Sequence, residues 1–71
     1  MTYEPTTINY YKKIEDACAS FGFTAYDDVA AVLQMMSKRN TTTFRMAGEW
    51  ITVTYDANYE GNKYYKVEIT E

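Results

Sequence analysis

An α+β fold in which two helices pack on one face of a three-stranded antiparallel sheet, in the order ααβββ, is what this 71-residue sequence predicts. Three observations point to it. Apolar residues recur at helical spacing as far as Asn40. Beyond it the period drops to two, as β-branched and aromatic residues replace Ala and Leu. The apolar positions of that second half then fall on one side of a single sheet. A chain this short forms one domain, residues 1–71, with no room for a second core. With 46% hydrophobic residues and eight tyrosines, it is too apolar for a disordered segment.

The first helix is expected over Thr7 to Phe21. Ile8, Tyr11, Ile14, Cys18 and Phe21 recur at three- and four-residue steps, with polar residues between them. Thr6 or Thr7 caps its start just after Pro5, and Gly22 supplies the left-handed residue that closes its end. A second helix is expected from Ala25. Thr24 and Asp27 approximate a capping box, Phe23 staples the start, and Asp27 and Asp28 favour the positive end of the helix dipole. Tyr26, Val29, Ala30, Leu33 and Met36, with Val32 beside them, mark its apolar face, and Lys38 and Arg39 complement its C-terminus.

Three strands follow. Thr42, Phe44 and Met46 alternate with Thr41, Thr43 and Arg45, and Ala47-Gly48 forms a two-residue turn into a strand over Glu49 to Asp56. Pairing Met46 with Glu49 sets Phe44 opposite Ile51 and Thr42 opposite Val53, so both apolar faces land on the same side. A polar loop with Asn58, Gly61 and Asn62 leads to a third strand, where Tyr65, Val67 and Ile69 continue that side. The helix pair covers it, being the only apolar surface large enough to do so.

Chemistry is sparse. The chain has no histidine, so a Ser-His or Cys-His nucleophile cannot be assembled within it, and no enzyme activity is expected. Cys18 lies on the apolar stripe of the first helix and reads as a core thiol. Glu15-Asp16 and Asp27-Asp28 are adjacent helical pairs that diverge by about 100°. Asp56, Asn58, Glu60 and Asn62 alternate like the start of a calcium loop, but without the glycine and closing glutamate of that motif, and read as a polar hairpin loop. One cysteine permits no internal disulfide, and no cofactor or metal is expected. Met1 to Thr7 carries neither a basic nor an apolar leader segment, and no apolar run reaches membrane-spanning length, so a cytoplasmic location and no membrane contact are expected. On that expectation the Asn40-Thr41-Thr42 triplet is not a glycosylation site.

Seven basic against ten acidic residues leave a net charge of −3, which opposes a polyanionic ligand. Two helices followed by a hairpin also occur in winged-helix proteins, but the second helix would meet phosphates with carboxylates. Direct nucleic-acid binding is therefore the weaker alternative. The outer sheet face is the more informative surface. It is expected to set Arg45 opposite Trp50, Thr43 opposite Thr52 and Thr41 opposite Thr54, with Tyr64, Lys66, Glu68 and Thr70 on the third strand and Tyr59 at a loop tip beside it. Exposed tryptophan, arginine and tyrosine are the residue types that dominate binding hot spots, so Trp50, Arg45, Tyr59, Tyr64, Lys66 and Glu68 are the candidate partner-binding residues. The plainer alternative is a solvated sheet face on which Arg45 stacks on Trp50.

In size, acidity and lack of catalytic groups the whole chain is similar to the small inhibitors that phages and mobile elements use against bacterial defences, the anti-CRISPR proteins among them. The resemblance implies a steric mechanism. Trp50, Arg45, Tyr59, Tyr64 and the acidic residues would engage a host nuclease or its nucleic-acid-binding groove and block access. The competing expectation is a structural or regulatory homodimer that buries the tryptophan face between two copies, which would also compensate for a small core.

Overall fold

The structure is a computed structural model that describes residues 6–71, the Ala57 side chain excepted. Its elements are β1 (Thr6–Tyr11), α1 (Ile14–Ala19), α2 (Tyr26–Met35), β2 (Thr41–Met46), β3 (Glu49–Tyr59) and β4 (Asn62–Thr70). The strands form one sheet in the order β1-β4-β3-β2, and every neighbouring pair is antiparallel. The α+β class, the helix pair and the antiparallel sheet agree with the sequence reading. Two finer expectations do not hold. Among the described residues the sheet has four strands rather than three, and a strand precedes the helices, so the order is not ααβββ.

The difference lies in residues 6–11. Thr6-Thr7-Ile8-Asn9-Tyr10-Tyr11 contains no strong helix former and is rich in β-branched and aromatic residues, which suit a pleated surface. It pairs along β4 from Thr6 opposite Thr70 to Tyr11 opposite Tyr65. The helical spacing of Ile8, Tyr11 and Ile14 is coincidental. Tyr11 packs against the core from β1, Ile14 opens α1, and Ile8 faces outward at 50% exposure. Pro5, which the sequence reading sets just ahead of a first helix, lies outside the described residues.

What remains of the first helix is short but well terminated. Gly22 has φ +92°, its N–H donates to the Ala19 carbonyl at 3.1 Å, and the Phe23 N–H donates to the Cys18 carbonyl at 2.9 Å. This is the Schellman closure expected of Gly22. Helix α2 starts differently from expectation. Ala25 is its N-cap with no side-chain cap bond, so the Thr24 capping box does not form, although Asp27 and Asp28 do occupy the first turn. Lys38 and Arg39 lie beyond the Met36 C-cap, in the turn to Asn40.

The apolar stripe of α2 is wide enough to offer two faces, and the sheet takes only one. Val29, Val32 and Met36, within about 60° of one another on the helical wheel, turn inward, with Val32 and Met36 buried. Tyr26, Ala30 and Leu33, expected on the core face, are exposed. The core consists of Ala17, Cys18, Phe21, Val32, Met36, Ile51, Val53 and Val67. Phe21, Phe23 and Phe44 seal one end with ring centroids 5.2–5.7 Å apart, and Tyr55 lies against Tyr65 at 4.7 Å.

The hairpin of β2 and β3 has the expected register, with Phe44 opposite Ile51, Thr42 opposite Val53 and Met46 opposite Glu49. Ala47 (φ +51°) and Gly48 (φ +81°) make the two-residue turn, both in the left-handed region that matches strand twist. The next connection is tighter than expected. Instead of ending at Asp56, β3 continues through a bulge to Tyr59, and only Glu60 and Gly61 form the turn.

Candidate interaction surface

Both helices pack on the sheet face that carries Ile51, Val53 and Val67, and among the described residues no element covers the other face. Strand alternation and register fill that outer face row by row. One row sets Arg45, Trp50, Thr70 and Thr6 side by side; the next sets Thr43, Thr52, Glu68 and Ile8; the third sets Thr41, Thr54, Lys66 and Tyr10. Threonine pairs link neighbouring strands within each row: Thr43 with Thr52 at 3.0 Å, Thr41 with Thr54 at 3.2 Å, and Thr6 with Thr70 at 3.1 Å between hydroxyl oxygens. Such cross-strand bonds stiffen the platform at little energetic gain.

Larger side chains gather at the two ends. At one end the Arg45 guanidinium lies 5.3 Å from the Trp50 ring centroid and reaches the Gly48 carbonyl with Nη2 at 3.5 Å. This cation–π contact holds the guanidinium over the ring while Trp50 remains 46% exposed. At the other end Tyr10 stacks on Tyr59 at 4.8 Å, and Tyr64 meets both rings edge-on at 6.5 and 5.7 Å. Between the ends Lys66 Nζ bridges Glu68 Oε1 at 2.9 Å. The hydrogen bond that Lys66 donates to Glu68, together with the carboxylate's charge, pushes the Lys66 ammonium pKa above its ordinary value.

The tyrosine trio depends on a bulge. Between the pairs Thr54–Lys66 and Ala57–Tyr64, β3 supplies Tyr55 and Asp56 against the single residue Tyr65. The extra residue reverses the alternation. Without it Tyr59 would share the inward parity of Ile51, Val53 and Tyr55; with it Tyr59 turns outward onto Tyr10 and Tyr64. Asp56 takes the strained position, with φ +73°. Its carboxylate accepts from Lys63 Nζ at 3.3 Å and from Asn40 Nδ2 at 3.4 Å, and the Tyr55 N–H donates to the Asn40 carbonyl at 2.7 Å. These bonds fasten the bulge to the end of the α2–β2 connection.

All six candidate residues thus lie on one face, although Trp50–Arg45 and Tyr59–Tyr64 stand at opposite ends of it. Tyr59 is a strand residue, not a loop tip, at 47% exposure. Sequence reasoning missed Tyr10 and Ile8, which complete the face from β1. The signal was present in the strand-like composition of residues 6–11. Of the acidic residues expected to act with Trp50, Glu68 shares its face, but those of the helices do not. Glu15, Asp16, Asp27 and Asp28 are on the helices, across the sheet from the aromatic face.

Other candidate chemistry resolves into structural roles. Cys18 is fully buried, and burial, with a smaller contribution from Asp28, pushes its thiol pKa up, away from a reactive thiolate. Asp56 is bonded to Lys63, and Asn62 Nδ2 donates to the Glu60 carbonyl at 3.3 Å, so this stretch is strand and turn rather than an ion loop. Among the described residues no group of three acidic or thiol side chains converges as a metal site. Among the described residues no helix is long and apolar enough to cross a membrane. No protein-family model, curated protein or solved structure matches the chain.

Proposed function

We propose that this chain is a non-enzymatic protein-binding module that acts by occupying a partner's surface with the outer face of its sheet. The observation that carries this reading is the uncovered face itself, with Trp50, Tyr59 and Ile8 each about half exposed on a threonine-bonded platform. Rigid aromatic side chains bind at low entropic cost, because little rotamer freedom is left to lose. The ring contacts of Trp50 and of the tyrosine trio hold these groups in place in the free protein. Two cations, Arg45 and Lys66, against one carboxylate, Glu68, make the face slightly basic on an acidic chain, so the surface it suits is apolar with hydrogen-bond acceptors.

The likeness to small anti-defence inhibitors supports a blocking role, with a host nuclease or defence complex as the occupied partner. Placement of the helix carboxylates across the sheet favours occlusion by the aromatic face over mimicry of a nucleic-acid backbone. A homodimer through the same face is the competing reading, favoured by the small core.

The test is a capture experiment from the native host's lysate with wild type and Trp50→Ala in parallel, after light scattering has fixed the molar mass of each. A heterologous partner retained by wild type and lost with Trp50→Ala supports the module. A wild-type dimer that becomes monomeric in Trp50→Ala, with no partner captured, replaces it with the homodimer.

A further inference from the structure

The helix layer carries a second unpartnered surface, on the side of the molecule away from the proposed binding face. A groove between α1 and α2 has Ile14, Ala19, Tyr26, Val29, Ala30 and Leu33 as its apolar lining, Ile14 and Val29 being half-buried against the core. Tyr26 is 85% exposed and Leu33 is exposed, although α2 had an inward face available for both had it been rotated. The sheet instead selected Val29, Val32 and Met36, leaving a second apolar stripe toward solvent.

The charge around the groove has one sign. The charged side chains lining it are Glu15 and Asp16, and Asp27 sits one 100° step from Tyr26, on the rim past Ala30. Lys12 and Lys13 lie in the turn ahead of α1 and do not line it. A three-turn helix wall of about 15 Å, an apolar lining and an acidic rim complement one kind of ligand: a helix with apolar residues on one face and lysines or arginines flanking them.

We propose that the α1–α2 groove docks a cationic amphipathic helix of a partner protein. An apolar side chain of that helix seats over Ala19 and Ala30 against Leu33 and Tyr26. Its flanking cations meet Glu15, Asp16 and Asp27. The chain then has two faces, an aromatic sheet and an acidic helix groove, and can hold two partners at once or two parts of one.

The probe is a fluorescein-labelled Leu/Lys amphipathic peptide of about four helical turns, with its Leu/Glu counterpart as control, titrated by anisotropy at about 150 mM salt. Amide shifts of the ¹⁵N-labelled protein locate the binding. The Leu/Lys peptide is expected to bind and the Leu/Glu peptide not, with shifts concentrated on Ala19, Tyr26, Ala30 and Leu33. Leu33→Lys, an exposed position that should not disturb the fold, is expected to weaken binding by at least about tenfold. Glu15→Gln with Asp16→Asn should weaken it by about threefold, and Trp50→Ala should leave it unchanged. The proposal is overturned by no binding, by equal binding of the two peptides, by shifts on the outer sheet face, or by an unaltered affinity in Leu33→Lys. It is also overturned if wild type is a dimer that Leu33→Lys dissociates, since the occupant would then be a second copy. Because Trp50→Ala reads only the sheet face, failure here leaves the proposed function standing.

Discussion

Both faces of the sheet carry large apolar or aromatic side chains, and these meet opposite fates. Ile51, Val53 and Val67 point one way and are sealed under Cys18, Phe21, Val32 and Met36. Trp50, Tyr59 and Ile8 point the other way and stay about half exposed. Burial on the first face is what holds the domain together. On the second, threonine hydroxyl pairs, one cation–π contact and a tyrosine trio order the side chains without removing them from water. Apolar composition alone therefore does not mark a core; what decides is whether another element of the chain lies over the face.

The contrast is broken most directly by neighbouring residues of opposite parity. Ile51→Ala is expected to cost about 3 kcal/mol, from lost burial and the cavity it leaves, whereas the outward Thr52→Ala should cost no more than about 0.5 kcal/mol. Urea denaturation of the two variants checks this, and equal losses would mean that the face assignment is wrong. Next in size is Trp50→Ala, expected to weaken partner binding by at least about 1–2 kcal/mol while lowering fold stability by less than about 1 kcal/mol. Titration calorimetry against the captured partner, beside thermal unfolding of the free variant, separates the two effects.

The turn of the first hairpin sharpens the comparison from the backbone side. Ala47 holds φ +51°, where its Cβ crowds the chain, so Ala47→Asn should stabilise the protein by about 0.5–1 kcal/mol, seen as a raised melting temperature. The last effect vanishes at neutral pH. Burial raises the Cys18 thiol pKa, and burial with the nearby Tyr55 raises that of Tyr65, so the unfolded chain loses these protons first as pH rises. The stability they contribute is complete below the unfolded thiol value of about 8.5 and falls as pH climbs through the folded value. Cys18→Ala should flatten that alkaline decline, measured by urea midpoints between pH 7 and 10.

Residues 41–56 were the legible part of the chain. There two independent patterns, alternation and a two-residue turn, imposed the same register, and Phe44–Ile51 and Arg45–Trp50 pair as expected. Residues 6–11 were misread because Ile8, Tyr11 and Ile14 happen to satisfy helical spacing while belonging to two elements. Only the free edge of β4, a long-range property, decides their conformation. The α2 face was ambiguous for a related reason. Its apolar stripe spans more than one packing surface, so which residues turn inward depends on the approach of the sheet. The outer face was legible in its β2–β4 residues, but its Tyr10–Tyr59–Tyr64 end was not. A bulge at Tyr55–Asp56 changes the parity of everything beyond it, and no local signal in the alternation announced it.

Photo-crosslinking inside the native host tests the central claim, that the outer sheet face is the binding surface, most directly. A benzophenone amino acid is placed at Thr52, in the middle of that face, and separately at Ala31, an exposed position on α2 outside the groove. The account predicts a crosslink from Thr52 to one heterologous protein, lost on adding Trp50→Ala, and none from Ala31. A Thr52 adduct with a second copy of the chain alone, or no adduct at Thr52, would contradict it.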